Sequence, residues 1–481
     1  MKNDSPSTAA PKNGLAARVV VAGAGLVGSL LALLLKRRGY DVVLCERRAD
    51  PRAAGYIGGR SINLALSDRG LRALDLAGIR ADVEKVAVPM PGRRMHAVDG
   101  TGPFMPYGLN GEAIRSVSRG GLNVKLLDLL DQAGVPVHFE HRCDDADLAR
   151  RRVRFSTPAG VVEFEGDVVV GADGAFSAVR HAMQRTDRFD YSQTYLPHGY
   201  KELAIPSGKD GAFLLDKNAL HIWPRSSFML IALPNVDGSF TCTLFFALEG
   251  ERESFASLDT PTKARAFFAE VFPDALALMP DFDEQWAHNP VSTLCTVRCS
   301  PWHRGRTMLV GDAAHAIVPF FGQGMNCGFE DCAVLMQILD ETNDDWDRAL
   351  PLYSQRRKEN ADAIATLALE NFVEMREKVA DPAFVYRKKV EAALARAFPD
   401  DVTPSYTMVT FRPELPYAHA LAKSRAQDRV LDRLVADDRV RGLVDQVPTG
   451  GELRGIFRAA LDATFGAESS TSTAPPRPTS A

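Results

Sequence analysis

A short apolar run, Arg18-Val-Val-Val-Ala22, leads directly into Gly23-Ala-Gly25-Leu-Val-Gly28, and an apolar stretch then continues to Arg38. An unbroken run of β-branched residues suits a strand covered on both faces. Glycines at this spacing allow a tight turn, a close approach of backbone to a pyrophosphate, and close packing of helix on strand. The helix start then offers free N–H groups to phosphate. A second run, Asp41-Val-Val-Leu-Cys-Glu46, places Glu46 roughly 20 residues on, where a carboxylate accepts hydrogen bonds from a ribose diol. The pattern predicts a β-α-β unit that binds a dinucleotide.

Two later motifs repeat the strand-to-turn theme. After Asp167-Val-Val-Val170 comes Gly171-Ala-Asp173-Gly174-Ala-Phe-Ser177-Ala-Val-Arg180, which on its own reads only as a turn. In Val310-Gly311-Asp312-Ala-Ala-His315-Ala-Ile-Val-Pro319-Phe-Phe-Gly322-Gln-Gly324-Met-Asn326, a strand ends on an acid and a glycine-bearing loop opens a helix over 326–340, whose dipole favours an anion. Residues 195–250 differ. They read as strands around Leu220–Trp223, Phe228–Leu233 and Ser239–Ala247, with a turn at Asp237-Gly238, which predicts an antiparallel sheet.

From 346 to 380, Ala361, Ile364, Ala365, Ala368, Phe372 and Met375 recur at helical steps. Val430, Leu431, Leu434 and Val435 form a later stripe. The expected class is therefore α/β: a Rossmann-like nucleotide-binding domain with an inserted antiparallel β-sheet domain and a C-terminal helical region. The boundaries are a disordered arm at 1–16, a discontinuous nucleotide domain at 17–190 and 295–345, a sheet domain at 191–294, helices at 346–466, and a Ser/Thr/Pro-rich disordered tail at 467–481.

Composition narrows the function. Lys+Arg 57 against Asp+Glu 61 gives a net charge of −4, without the basic excess of a nucleic-acid binder. The 7 cysteines show no C-x-x-C and no Cys/His array at zinc spacing, so reduced thiols and no metal are expected. The N-terminus lacks the apolar core of a signal peptide. The run Leu30–Leu35 is stopped by Lys36-Arg37-Arg38, and 421–465 is broken by Asp428, Arg433, Asp437 and Arg441, so neither is a membrane span. A cytoplasmic protein, monomer or homodimer, with no membrane partner is expected.

In this order the three motifs resemble those of the single-component FAD-dependent aromatic hydroxylases. The resemblance implies bound FAD, transient NADPH and O₂ as co-substrate. Asp312 would contact the ribityl chain, Met325 and Asn326 would reach the isoalloxazine ring, and Asp173 would help hold both FAD and NADPH. Ser177 and Arg180 would serve local structure. Further segments are Arg60-Ser-Ile-Asn-Leu-Ala-Leu-Ser67, Pro89-Met90 with Arg93 and His96, Tyr107-Gly108, Ser116-Val-Ser-Arg119-Gly-Gly-Leu122-Asn123, Pro197-His-Gly-Tyr200 and Tyr406-Thr-Met-Val-Thr-Phe411. These are similar to the branch of that family that hydroxylates L-kynurenine, in tryptophan catabolism toward pyridine nucleotides, and the similarity spans from about residue 17 to about 415.

By that resemblance the FAD contacts are Gly23, Gly25, Val27, Gly28, Cys45, Glu46, Arg47, Arg48, Ala65, Arg119, Asp173, Gly174, Asp312, Met325 and Asn326. Arg93, Tyr107, Asn371 and Tyr406 would hold the amino-acid end of the substrate, and Phe320, Gln323, Glu374 and Met375 would line the pocket near the ring. Arg93 and Arg94 are adjacent candidates, and the fourteen-residue step to Tyr107 favours Arg93.

The substrate chemistry suits these residue types. An arginine offers a planar fork to a carboxylate, and tyrosines offer hydroxyl donors on apolar bodies. Asn371, Glu374 and Met375, at i, i+3 and i+4, share a face if helical. The implied reaction gives 3-hydroxy-L-kynurenine through a C4a-hydroperoxyflavin, with the flavin carrying the hard chemistry. The aryl amine activates its ortho carbon, so no residue is assigned as acid or base, and His315 is read as loop support. Pro319–Gly324 would couple substrate binding to flavin reduction. The alternatives are a flavin hydroxylase of a related anilino or phenolic acid, or a non-catalytic FAD-binding protein.

Overall fold

The strand Arg18–Ala22 (β1), the helix Leu26–Arg37 (α1) and the strand Asp41–Cys45 (β2) form the expected unit in the computed structural model. That structure describes residues 17–53, 63–108, 111–374, 382–446 and 451–469. β1 is central. It pairs in parallel with β2, Val20 opposite Val43, and on its other side with the strand Val168–Gly171, Val20 opposite Val169. Val19, Val20 and Val21 are fully buried, as the absence of any polar residue in the run requires. Six strands make this sheet, in the order His303–Arg304, Thr307–Leu309, Val168–Gly171, β1, β2, Val137–His138. The chain therefore does re-enter its first sheet after residue 300. α1 packs on the helices Arg119–Gln132 and Gly324–Thr342.

A second sheet of seven strands faces the first domain. Its order is Val291–Ser300, Asp190–Ile205, Phe240–Ala247, Phe228–Pro234, Ala219–Arg225, Gly92–Met95 and Phe104–Pro106. Its last two strands come from the segment that sequence position assigns to the nucleotide domain. Gly92–Met95 pairs in parallel with Ala219–Arg225, so the sheet is not purely antiparallel and is not confined to 191–294. The period-two alternation of strands divides its residues between two faces. Trp223, Leu230, Leu244 and Phe246 form a core with Phe267, Phe268, Phe272, Phe282 and Trp286. Phe267 and Phe268 belong to the helix Pro261–Val271, Phe282 and Trp286 to the helix Phe282–His288, and Phe272 joins Pro261–Val271 to the short helix Pro273–Leu276; these helices cover the back of the sheet. Leu220, Ile222, Ile231, Leu233, Thr243 and Phe245 face the other way, into a cavity.

The helix Trp346–Val373 buries Ile364, Ala365, Ala368 and Phe372. Met375 lies outside the described residues, as do Arg60, Ser61 and Ile62. The helices Pro382–Ala397, Ser405–Phe411, Tyr417–Val435, Asp438–Gln446 and Gly451–Ser469 follow. Val430, Leu431 and Leu434 close a separate small core with Val390, Leu394 and Phe457. The last helix runs to Ser469, so residues 467–469, expected in the tail, are helical. No helix among the described residues is long and apolar enough to cross a membrane.

Candidate active site

Between the two sheets and the C-terminal helices lies a cavity of about 1580 Å³. A small-ligand pocket is usually 300–1,000 Å³, so this one has room for a dinucleotide and a second ligand.

At one end, β1 delivers Gly23, whose φ of +106° and missing side chain admit the carbonyl of Ala172. The Gly23 N–H donates to the Cys45 carbonyl at 2.7 Å, tying the turn to β2. Glu46 Oε2 accepts from the Ala24 N–H at 2.9 Å and Oε1 from the Arg48 N–H at 3.1 Å, which fixes the carboxylate across the turn. Around Gly25 the space a side chain would fill is open, and the start of α1 carries no side-chain cap. Its first N–H groups have no helical acceptor and are available to an anion. At Gly28 a Cβ would run into the Gly23 carbonyl and the Ala172 side chain. Gly28 serves helix-to-strand packing and does not line the cavity.

Val27, Cys45, Glu46, Arg47, Arg48, Ala65, Arg119, Asp173, Gly174, Asp312 and Met325 all line the cavity with Gly23 and Gly25. Asp173 accepts from the Ala178 N–H at 2.7 Å through Oδ2, while its Oδ1 is buried without a partner. Burial pushes its carboxyl above the usual range, against the pull of Ser177 and the backbone N–H groups. An open backbone at Gly25 and an unpaired acceptor at Asp173 fit the pyrophosphate and hydroxyl groups of FAD.

Asn326 does not line the cavity with its side chain, as the flavin contact expected of it would require. It is fully buried, its Oδ1 accepts from the Ser67 N–H at 2.9 Å, and its Nδ2 donates to the carbonyls of Ala65 and Gly322 at 2.8 and 2.9 Å. Gln323 likewise turns away, 2% exposed, with Oε1 accepting from Tyr417 Oη at 3.0 Å. Both amides hold the loop that presents Phe320 and Met325, because a buried amide must find partners.

Beneath that loop lies a charged network. His315 Nε2 meets Asp331 Oδ2 at 2.5 Å, Asp331 Oδ2 also accepts from the Gly311 N–H at 3.0 Å, and Arg357 bridges Asp331 at 2.7 Å and Glu330 at 2.5 Å. Arg69 continues from Glu330, at 2.7 Å, to the carbonyls of Val409, Arg412 and Leu415. Burial works against a charged His315, but Asp331 and Cys327 raise its pKa well above the ordinary histidine value. The imidazole lies beneath the Gly311–Asp312 turn as a support, outside the cavity, and Arg357 supplies the cation that balances Asp331.

At the other end, Arg93 enters from the strand Gly92–Met95. Its guanidinium lies 5.2 Å from the Tyr107 ring and 4.8 Å from the Tyr406 ring, and those rings stack at 5.1 Å. No carboxylate among the described residues pairs with Arg93. Arg94, on the opposite face of the strand, pairs with Asp216 at 3.6 Å and lies over Phe104. Strand alternation thus separates the two candidates. Burial raises the pKa of both tyrosines, keeping them neutral donors, although Arg93 pulls the other way. Tyr107 Oη has no partner at hydrogen-bonding geometry.

Phe320 packs at 4.5 Å on Phe372 and 5.1 Å on Phe245, and Asn371 Nδ2 donates to its carbonyl at 2.6 Å. Glu374 sits at the rim, 3.7 Å from Lys388. His96 faces the far side of the sheet, 2.8 Å from His221 and 3.2 Å from Asp274. The apolar floor built by Ile222, Met229, Ile231 and Phe245 was not singled out from sequence. Alternation in 228–234 does not separate it, because both faces of that strand are apolar, with Phe228, Leu230 and Ala232 on one and Met229, Ile231 and Leu233 on the other.

Residues 16–368 match the FAD binding domain family. The chain is 47% identical over 426 residues to kynurenine 3-monooxygenase of Flavobacterium psychrophilum, covering 88% of this chain and 94% of the relative. It is 49% identical over 421 residues to that of Myxococcus xanthus, covering 86% and 90%. With that of Dictyostelium discoideum it shares 45% over 432 residues, covering 87% and 93%. Among solved structures it is similar in fold to 2-methyl-3-hydroxypyridine-5-carboxylic acid oxygenase, at 24% identity and a TM-score of 0.63, over 77% of this chain and 96% of the other. Pseudomonas aeruginosa PqsL, solved with 2-aminobenzoylacetate, gives 20% and 0.60 over 75% and 96%.

Proposed function

This chain belongs to the kynurenine 3-monooxygenases, FAD-dependent aromatic hydroxylases, and from that premise we propose how its residues divide the work. The enzyme hydroxylates L-kynurenine at ring position 3, with FAD as cofactor, NADPH as reductant and O₂ as co-substrate. FAD, when bound and reduced by NADPH, supplies activated oxygen for the ring carbon ortho to the amine.

The protein holds, orients and shields. Gly23, Gly25 and the start of α1 would take the pyrophosphate, Glu46 the ribose, Asp312 the ribityl chain and Met325 the ring system, while Arg119 and Asp173 would add further contacts to FAD. Arg93 takes the substrate carboxylate between Tyr107 and Tyr406, whose neutral hydroxyls donate beside it. Asn371 fixes Phe320, which walls the aromatic end with Phe245 and excludes water from the reacting carbon. No acid or base is assigned, since the aryl amine already activates the carbon attacked.

The observation that carries this division is the cation of Arg93, without a carboxylate partner among the described residues and caged by two aromatic rings above an apolar floor, in the same cavity as the glycine-rich turn. An aromatic amino acid, with a carboxylate for Arg93 and a ring for the apolar floor, matches that combination. Mass analysis after incubation with L-kynurenine, NADPH and ¹⁸O₂ tests it: one labelled oxygen in the product is expected, and NADPH oxidation without labelled product refutes it. The seven cysteines are all unpaired, which supports a reducing, cytoplasmic setting. A monomer or homodimer is expected, and light scattering of the holoenzyme checks this.

A further inference from the structure

Arg69 is 1% exposed, in the helix Asp68–Leu76, and does not line the cavity. A cation is almost never buried that deeply unless its donors are all engaged. Those of Arg69 are spent on backbone carbonyls from one short stretch of chain. Nε donates to the carbonyl of Val409 at 2.7 Å, and Nη2 to those of Met408 at 3.4 Å, Arg412 at 3.1 Å and Leu415. Nη1 donates to Glu330 Oε1 at 2.7 Å.

Met408 and Val409 lie near the end of the helix Ser405–Phe411, which carries Tyr406. The last four carbonyls of a helix have no partner inside it, and a helix of seven residues has few internal bonds to place it. Its position therefore depends on what meets its end, and that group is Arg69. Tyr406 is three residues before Val409, a rise of about 4.5 Å along the axis. A shift at the carbonyls is passed to the tyrosine ring almost undiminished.

The same guanidinium is tied to the cofactor side. Glu330 belongs to the helix Gly324–Thr342, which opens beside Met325, and is held there by Arg357 at 2.5 Å. The guanidinium also lies 4.0 Å from the Tyr417 ring, whose Oη donates to Gln323 in the loop before that helix at 3.0 Å. Tyr406 itself stacks on Phe321 of this loop at 5.6 Å, on the other side from Tyr107.

We infer that Arg69, anchored on Glu330, is a positioning residue for substrate binding: it gathers the carbonyls of 408–415 and so holds the Tyr406 hydroxyl at the carboxylate site beside Arg93. It touches neither substrate nor cofactor and acts through Tyr406. The inference rests on Tyr406 as a contact to L-kynurenine, and Tyr406→Phe tests that premise by itself. Unchanged affinity there ends the premise, and the inference falls with it. A tenfold loss there with none on changing Arg69 overturns the inference alone.

The test uses Arg69→Lys holoenzyme. An ammonium with three donors replaces a planar fork with five and does not serve both Glu330 and the carbonyls. Flavin absorbance reads three affinities. L-Kynurenine should weaken about tenfold, while FAD and the decarboxylated amine, which offers Tyr406 no carboxylate, stay within twofold of wild type. On a Tyr406→Phe background the same substitution should change L-kynurenine affinity by less than twofold, since two residues that act through one contact are not additive. A general loosening of the fold gives another pattern: equal losses for both ligands, a weakened FAD, or a full second loss on the Tyr406→Phe background. Any of these overturns the inference, as does L-kynurenine affinity within twofold of wild type.

Should Arg69→Lys not fold, Glu330→Gln takes its place. It keeps the shape of the side chain and removes the charge that orients the guanidinium. L-Kynurenine should then weaken at least threefold with the decarboxylated amine and FAD unchanged, and parity for all three, or equal losses, overturns the inference.

Discussion

Replacing Arg93 by Met keeps an apolar stem between Tyr107 and Tyr406 and removes only the cation. In the free protein the guanidinium touches two ring faces, at 5.2 and 4.8 Å, and no carboxylate among the described residues. Folding stability should therefore fall by only about 1 kcal/mol, the scale of a partly exposed cation–π contact. The complex loses far more. A carboxylate carried into a half-buried, aromatic-walled site without its cation forfeits about 3 kcal/mol, or about two decades in dissociation constant. Titration of flavin absorbance with L-kynurenine reads that constant directly, and the absorbance of bound FAD shows that the cofactor end is intact. The decarboxylated amine provides the second arm: wild type and variant should bind it equally, and about as weakly as the variant binds L-kynurenine. A change of less than threefold for L-kynurenine, or an equal loss for the decarboxylated amine, would refute the assignment.

Gly25→Ala and Gly28→Ala should fail in different ways. The first meets open space, so the apoprotein keeps its melting temperature while FAD affinity drops at least tenfold; the second clashes with backbone and lowers the melting temperature before any ligand is added. The pH dependence has a defined sign at His221, whose pKa burial lowers to about 4. Its folded pKa lies below the unfolded value near 6.5, so the unfolded chain binds the extra proton and stability falls as pH drops from 6.5 toward 4. Linkage makes the loss about 2 kcal/mol between pH 7 and 5, and urea denaturation of wild type against His221→Asn at the two pH values isolates it: the variant should lack this part of the acid sensitivity.

Legibility in the sequence followed the range of the interaction. The β1–Gly–α1 unit could be read because all its constraints lie within about thirty residues: buried faces demand an apolar run, and the turn demands glycine. The strands at 219–247 could be read for the same reason. The helices between 261 and 288 went unseen, because their apolar positions acquire meaning only against the back of a sheet assembled from strands up to two hundred residues away. Gln323 and Asn326 sit in the right loop but not with the right orientation. Their partners, Tyr417 at one end of the chain and Ser67 at the other, are distant in sequence, and burial of an amide obliges it to satisfy them first.

From the sequence alone it follows that a dinucleotide-binding unit forms at 17–48, and that Arg93 and Arg94 are adjacent carboxylate candidates, the fourteen-residue step to Tyr107 favouring Arg93. That the two lie on opposite faces of a strand, one of them in the cavity, does not follow. That was decided when Gly92–Met95 added in parallel to Ala219–Arg225, leaving Asp216 beside Arg94 and the rings of Tyr107 and Tyr406 around Arg93. Backbone conformation is set by local sterics and patterning, whereas the environment of a charge is set by whatever the rest of the chain brings to it.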